Sequence, residues 1–433
     1  MSRKATVKGG RTPLDSLSSA DRRQARADLQ QRLDDLAERG LDRRMRPIEG
    51  PQGPEVLLDG RPVLLLCSND YLGLATHPQV REAAAQAALS LGAGSGASRL
   101  VSGTMSVHTD LEQRLAEFEG TQACVLFGSG YLANMGVIGA LAGRGDVVFS
   151  DELNHASILD GCRLSRAQVV VYRHCDLGHL ETALREHRGS EHRRLIVTDS
   201  VFSMDGEIAP LPELLELARR HGARLVVDEA HATGALGPGG RGAVAAAGLQ
   251  GEVDAVVGTL SKALGSYGAY VCGKEQTIDY LVNVARPLIF STAPPPPAIA
   301  AAAAALELIC SRPTLIDDLH AAARTLRRSL LAEGFAIEPG EMHIVPLVAC
   351  EQRAAVALCE AAIERGVFAQ AIRPPTVPLG SSRLRLTAMA THTPEQMQTA
   401  ARTLRESALA VGLDPALLGE RAHGRLLTSA GRG

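Results

Sequence analysis

The sequence predicts an α/β fold: a mostly parallel central sheet with helices on both faces, plus a smaller C-terminal α+β domain. Three observations predict it. Between about 65 and 294, short apolar runs alternate with helical patterns, as βαβ units do when a sheet is buried on both faces. Several of those runs end in polar or glycine-rich loops. After Pro294 to Pro297 the pattern changes to long helices with few strands.

In chain order, a basic lead (Arg3, Lys4, Lys8, Arg11) lacks the apolar core of a secretory signal and reads as disordered. Ala20 to Gly40 has Leu29, Leu33 and Leu36 at helical spacing, an amphipathic helix. Pro47, Gly50, Pro51, Gly53 and Pro54 then mark a linker. Residues 1–64 therefore read as lead, helix and linker. The large domain spans 65–294, with strands expected at Ala123–Phe127, Val147–Phe149, Gln168–Tyr172, Leu195–Thr198, Leu225–Val227, Ala255–Val257 and Ala269–Val271. Helices are expected between them at Leu132–Leu141 and Leu211–His221. The C-terminal domain, 295–413, has helices expected at Ala298–Ile309, Leu315–Glu333 and Ala354–Arg365, and strands at Ile344–Val348 and Arg383–Thr387. Residues 414–433 read as a loose tail.

Composition excludes several classes. With 45 Lys+Arg against 48 Asp+Glu the 433 residues carry a net charge of −3, no global field for nucleic acid. The longest apolar run, Ala298 to Leu306, is too short for a bilayer and reads as a packed helix. Eight scattered cysteines without a CxxC pair suit a reducing, cytoplasmic compartment. Only four of the 45 cationic residues are lysines: Lys4, Lys8, Lys262 and Lys274. A lysine in mid-chain therefore calls for an explanation.

Five loops at expected strand ends hold the residues suited to chemistry. Gly128-Ser129-Gly130-Tyr131 opens a helix whose free N–H groups can hold a phosphate. Asn154-His155, Asp199 to Gly206, Asp228 to His231 and Thr259 to Ser266 follow other strands. Taken singly, each has other readings. Gly128 to Gly130 with Asp151 weakly matches a dinucleotide site of a nicotinamide-dependent dehydrogenase. Asp228-Glu-Ala-His231 matches the acidic box of nucleic-acid-dependent ATPases, but no GxxxxGK[ST] accompanies it. His174, Cys175, His179, His187 and His192 have no zinc-ligand spacing and read as a solvated stretch, so no metal is expected. Lys262 unites the five loops. A lysine forms a Schiff base with an aldehyde and, once neutral, acts as a base; arginine does neither. An aldehyde cofactor with a phosphate tail gives Asp228 a ring nitrogen to pair with, His155 a ring face to stack on and Gly130 a phosphate.

These motifs resemble the α-oxoamine synthases, a group of fold-type I enzymes dependent on pyridoxal 5′-phosphate. The likeness rests on Ser68 to Leu74 (SNDYLGL), Gly94 to Gly103 (GSGASRLVSG), Asn154 to Ser157, Val201 to Gly206, Asp228 to His231 and Thr259 to Gly265. It implies that Lys262 carries the cofactor, Asp228 faces its ring nitrogen, His155 stacks on it and serves in acid catalysis, and Ser203 and His231 reach its ring hydroxyl side. Gly130 and Tyr131 would lie at the cofactor loop, Thr259 near the phosphate, and Thr292 would reach the phosphate of the cofactor of a partner subunit in a homodimer. Arg385 would clamp the amino-acid carboxylate, while Thr376 and one of Arg43, Arg44 and Arg46, with Arg43 preferred, would contact the acyl substrate. Ser98 to Gly103 and Ile372 to Pro378, followed by Arg383-Leu-Arg385, resemble the biotin-pathway branch. That branch joins L-alanine to a pimeloyl thioester of CoA or acyl-carrier protein. Glycine- and serine-using branches stay open as alternatives.

Overall fold

The computed structural model describes residues 19–188 and 193–419; the basic lead, His192 and most of the expected tail lie outside them. Three short strands come first, β1 (Ile48–Glu49), β2 (Glu55–Leu58) and β3 (Arg61–Leu65). Seven more build the main sheet: β4 (Ala123–Phe127), β5 (Val147–Asp151), β6 (Gln168–Tyr172), β7 (Arg194–Asp199), β8 (Arg224–Asp228), β9 (Ala255–Thr259) and β10 (Ala269–Gly273). Their order is β4-β10-β9-β8-β7-β5-β6. Strands β5 to β9 pair in parallel, and β10 runs against both β9 and β4. Strands β5 and β9 are buried at every position, which is why they read as unbroken apolar runs rather than as alternation.

One consequence places the site. Because β4, β5, β7, β8 and β9 all point the same way, the five chemically interesting loops leave the sheet at one edge, the carboxyl ends of the strands.

The C-terminal part contains β11 (Ile344–Cys350), β12 (Val367–Phe368), β13 (Gln370–Ile372) and β14 (Ser382–Thr387). Strand β14 lies between β11 and β13, antiparallel to both. Strand β12 joins β3 in parallel, in a sheet ordered β1-β2-β3-β12. Residues 55–66, which the expected boundary at 64/65 divides between the N-terminal segment and the large domain, instead pack with the C-terminal segment: Val56, Val63 and Leu66 share one core with Leu326, Leu358, Leu386 and Leu404. Conversely, Ile299, Ala302 and Ala305 of the helix Pro296–Ser311 pack in the large core with Leu72 and Val80. Pro296 and Pro297 occupy that helix's first turn, where a missing N–H costs nothing, so the proline run starts a helix as well as breaking the chain. The expected N-terminal helix forms at Ser19–Glu38, but Leu29 and Leu33 on it stay exposed. Among the described residues no single helix is long and apolar enough to cross a membrane.

Candidate active site

Lys262 stands on the loop leaving β9, partly buried. Among the described residues its ammonium makes no hydrogen bond or ion pair. Burial pulls its pKa from 10.5 to about 8; Asp228 and Asp199 oppose the shift and Arg385 adds to it. Asp228, at the end of β8, is buried, and its Oδ2 accepts from Asn134 Nδ2 at 2.6 Å while Oδ1 accepts from the Ala230 N–H at 2.8 Å. Asn134 Nδ2 also donates to Ser157 Oγ at 2.9 Å, and that hydroxyl lies 2.7 Å from His155 Nδ1. Two intervening side chains therefore tie the carboxylate to the imidazole. His155 caps the helix Ala156–Ser165, and its own N–H donates to Asp199 Oδ2 at 2.7 Å. Burial, then the nearby Asp228 charge, pushes the Asp199 carboxyl well above its ordinary range, which favours a protonated Asp199 beside Asp228.

Ser129 caps the helix Gly130–Leu141 by accepting from the Leu132 N–H at 3.3 Å. A Cβ on Gly130 would meet nothing within 4 Å, so this helix start is open to a ligand. Thr259 Oγ1 lies 2.8 Å from Ser261 Oγ, between β9 and Lys262. The Tyr131 phenol turns to Asp160 on the next helix.

Strand β14 carries Arg383 and Arg385 on one face, and their partners separate their roles. Arg383 is fully buried and ion-paired to Asp205, so its charge is already met. Arg385 meets only neutral acceptors: Ser203 O at 2.5 Å, Asn69 Oδ1 at 3.0 Å and Tyr71 Oη at 3.1 Å. Its Nη2 also lies 3.5 Å from His231 Nδ1. Such a guanidinium, placed but without a counter-ion, suits a carboxylate ligand.

The same reasoning separates the three N-terminal arginines. Arg44 and Arg46 both pair with Glu360, whereas Arg43 donates to Pro374 O at 2.8 Å and Leu41 O at 3.2 Å. All three line a cavity of about 560 Å³ that also contains Arg373 and Thr376. Thr292 stands apart from this set, exposed and bridged to Ser98.

Other readings lose ground here. Asp151, needed for a dinucleotide ribose, accepts from the N–H groups of Leu153 and Cys175, and His174 Nδ1 lies 2.9 Å from it. His174 is not simply solvated. It bridges Asp151 and Glu207, and these partners outweigh burial to lift its pKa to about 12. Glu229 of the Asp-Glu-Ala-His run is buried and accepts from the N–H groups of Ala243 and Val244, a helix-capping duty. The residues that sequence reasoning left without a role are Asn69, Tyr71, Asn134, Ser157 and Asp199. Asn134 had a signal, as an amide in an otherwise apolar helix.

Residues 61–404 match the family model for class I and II aminotransferases. The chain belongs to that family. Within it the likeness is to α-oxoamine synthases. The 8-amino-7-oxononanoate synthase of Geobacter sulfurreducens is 50% identical over 370 residues, covering 85% of this chain and 94% of the relative. The Anaeromyxobacter dehalogenans protein of the same name is 52% identical over 365 residues, covering 84% and 91%. Among solved structures, a serine palmitoyltransferase of Sphingomonas wittichii superposes with a TM-score of 0.84 at 33% identity, covering 90% of this chain and 98% of that one. The 8-amino-7-oxononanoate synthase of Francisella tularensis gives 0.69 at 26%, covering 80% and 98%. The fold-type I architecture expected from the motifs is therefore present.

Proposed function

We propose that this chain condenses L-alanine with a pimeloyl thioester of CoA or acyl-carrier protein, releasing CO2 and the thiol carrier and forming 8-amino-7-oxononanoate in biotin biosynthesis. The observation that carries the reading is Lys262: an unpaired lysine with a pKa near 8, within electrostatic reach of Asp228 at the carboxyl edge of the sheet. The higher structural score for serine palmitoyltransferase reflects a shared scaffold. Identity of 50 to 52% over most of the chain favours the alanine-using branch.

The residues fit pyridoxal 5′-phosphate. An amine and a buried carboxylate that have no ion pair among the described residues, together with an open helix start, answer to its aldehyde, ring nitrogen and phosphate. Bound there, the cofactor would supply an electron sink that allows the bonds at the amino-acid Cα to break heterolytically. Arg385 would hold the substrate carboxylate in a two-pronged grip. Lys262, with a pKa lowered to about 8, would remove the Cα proton and return it. Asp228, held by Asn134, would keep a positive ring nitrogen in place, and preorganised charge of this kind is a large source of rate. His155 would cover one ring face and serve as an acid. Ser203 and His231 would face the ring hydroxyl, and Gly130, Tyr131 and Thr259 the phosphate. The cavity at Arg43 and Thr376 would receive the acyl substrate. Leu100, Val101 and Phe290 are exposed, each within three residues in the chain of the bridged pair Ser98 and Thr292, which supports a homodimer in which Thr292 reaches the partner's cofactor. Eight free cysteines support a cytoplasmic setting.

The test is a product assay. Protein reconstituted with pyridoxal phosphate should show a visible absorbance band, and borohydride should abolish that band and fix the cofactor to Lys262. L-alanine with pimeloyl-CoA should then yield a product of the mass of 8-amino-7-oxononanoate. Arg43→Ala should raise the KM for the thioester about tenfold, the loss of one charge-assisted contact. Glycine or serine with another acyl-CoA proving the far better pair would move the protein to another branch, and no band would remove the cofactor.

A further inference from the structure

We infer that Tyr71 is a positioning residue whose single hydroxyl joins Arg385 to His231 and decides which nitrogen of His231 carries the proton. The inference rests on the function proposed above and adds a residue to it. Tyr71 is fully buried, its ring edge-on to His343 with centroids 4.2 Å apart. A phenol in such a place is costly unless its hydroxyl is bonded. Here the hydroxyl lies 2.6 Å from His231 Nδ1, 3.1 Å from Arg385 Nη2 and 3.2 Å from Asn69 Oδ1.

Donor counting and distance together assign the roles. Arg385 can only donate, so it uses a lone pair of the phenol oxygen. The one phenolic proton then goes to His231 Nδ1 or to Asn69 Oδ1. The shorter distance favours His231, and Arg385 Nη2, which can only donate, also lies 3.5 Å from His231 Nδ1, so that nitrogen faces donors on two sides and is the acceptor. His231 is faced by Lys262, Arg385, His343 and His155, and burial followed by those charges holds it well below the ordinary imidazole range. A neutral imidazole accepting at Nδ1 carries its proton on Nε2. Tyr71 thus makes His231 an Nε2–H donor while bracing the guanidinium that would take the substrate carboxylate.

The experiment uses the holoenzyme and Tyr71→Phe, which keeps the ring packed on His343. The pH midpoint of the cofactor's visible band should rise by about half a unit or more, because a ring oxygen that loses a fixed donor stabilises its negative charge less. The Kd for L-alanine, read from the absorbance change, should weaken about tenfold. In a His231→Gln background, Tyr71→Phe should move the midpoint no further. Unchanged midpoint and Kd, with or without a lower Tm, would make Tyr71 a packing residue only. An equal shift in the His231→Gln background would overturn the tautomer assignment. Wild-type protein with no visible band would instead sink the functional reading itself, a separate result.

Discussion

At the residue scale, this chain meets nearly every need for positive charge with arginine, and Lys262 is the exception for which the proposed function supplies a reason. Lys274 caps a helix start and is exposed, where any solvated cation would serve. Lys262 is partly buried with a pKa near 8, and only its neutral amine attacks an aldehyde. Capture of pyridoxal phosphate by the apoprotein should therefore accelerate as pH rises through about 8. The reactive fraction grows from about a tenth at pH 7 to about half at pH 8. Stopped-flow absorbance checks the profile, and a flat profile between pH 6 and 9 would contradict it. Lys262→Arg keeps the charge and loses the chemistry, so it should capture no cofactor and lose at least about 10³-fold in turnover. Its Tm should stay within a few degrees of wild type.

At the element scale, β14 carries one arginine that is ion-paired and one that, among the described residues, is not. They sit two residues apart on one face, and although the family likeness singles out Arg385 as the clamp, their residue type and spacing give no physical reason for the difference. What separates them is Asp205, which neutralises Arg383 and leaves Arg385 among neutral acceptors. Arg383→Ala empties a fully buried site and leaves the partly buried Asp205 carboxylate without its partner, and should cost about 3 kcal/mol of stability, measurable by urea denaturation. Arg385→Lys should leave stability nearly intact and weaken L-alanine binding tenfold or more, since an ammonium cannot make the two-pronged grip. If the two effects were exchanged, the assignment of the clamp would be reversed. The helix Gly130–Leu141 shows a similar division of labour. Its first residues are open to a phosphate, while Asn134, one turn further, holds Asp228.

At the scale of the whole molecule, strands from opposite ends of the chain close a shared core. Strand β3 pairs with β12, and Val56, Val63 and Leu66 lie against Leu386 and Leu404. A chain beginning at residue 67 would expose that apolar surface and should be recovered as aggregate. One beginning at residue 48 keeps the core, should fold, and would lack Arg43. Size-exclusion chromatography with circular dichroism distinguishes the two, and a soluble, folded chain from residue 67 would show that β2 and β3 are dispensable.

The sequence by itself determined the parallel sheet, the loops at its carboxyl edge, the lysine, and the family with its cofactor chemistry. These are local signals: an apolar run marks a buried strand, and the residue after it marks the edge where ligands bind. Only the tertiary structure decided that, among the described residues, Arg44, Arg46 and Arg383 are ion-paired while Arg43 and Arg385, the two arginines already singled out by the family likeness, are not, and that Tyr71 and Asn134 hold His231 and Asp228. It also decided that residues 55–66 pack with the far end of the chain. Each of those depends on partners 90 or more residues away, as Asn134 with Asp228 at a separation of 94 and Arg383 with Asp205 at 178. The charge state and donor role of a side chain are properties of its neighbours, and long-range neighbours exist only once the chain has folded.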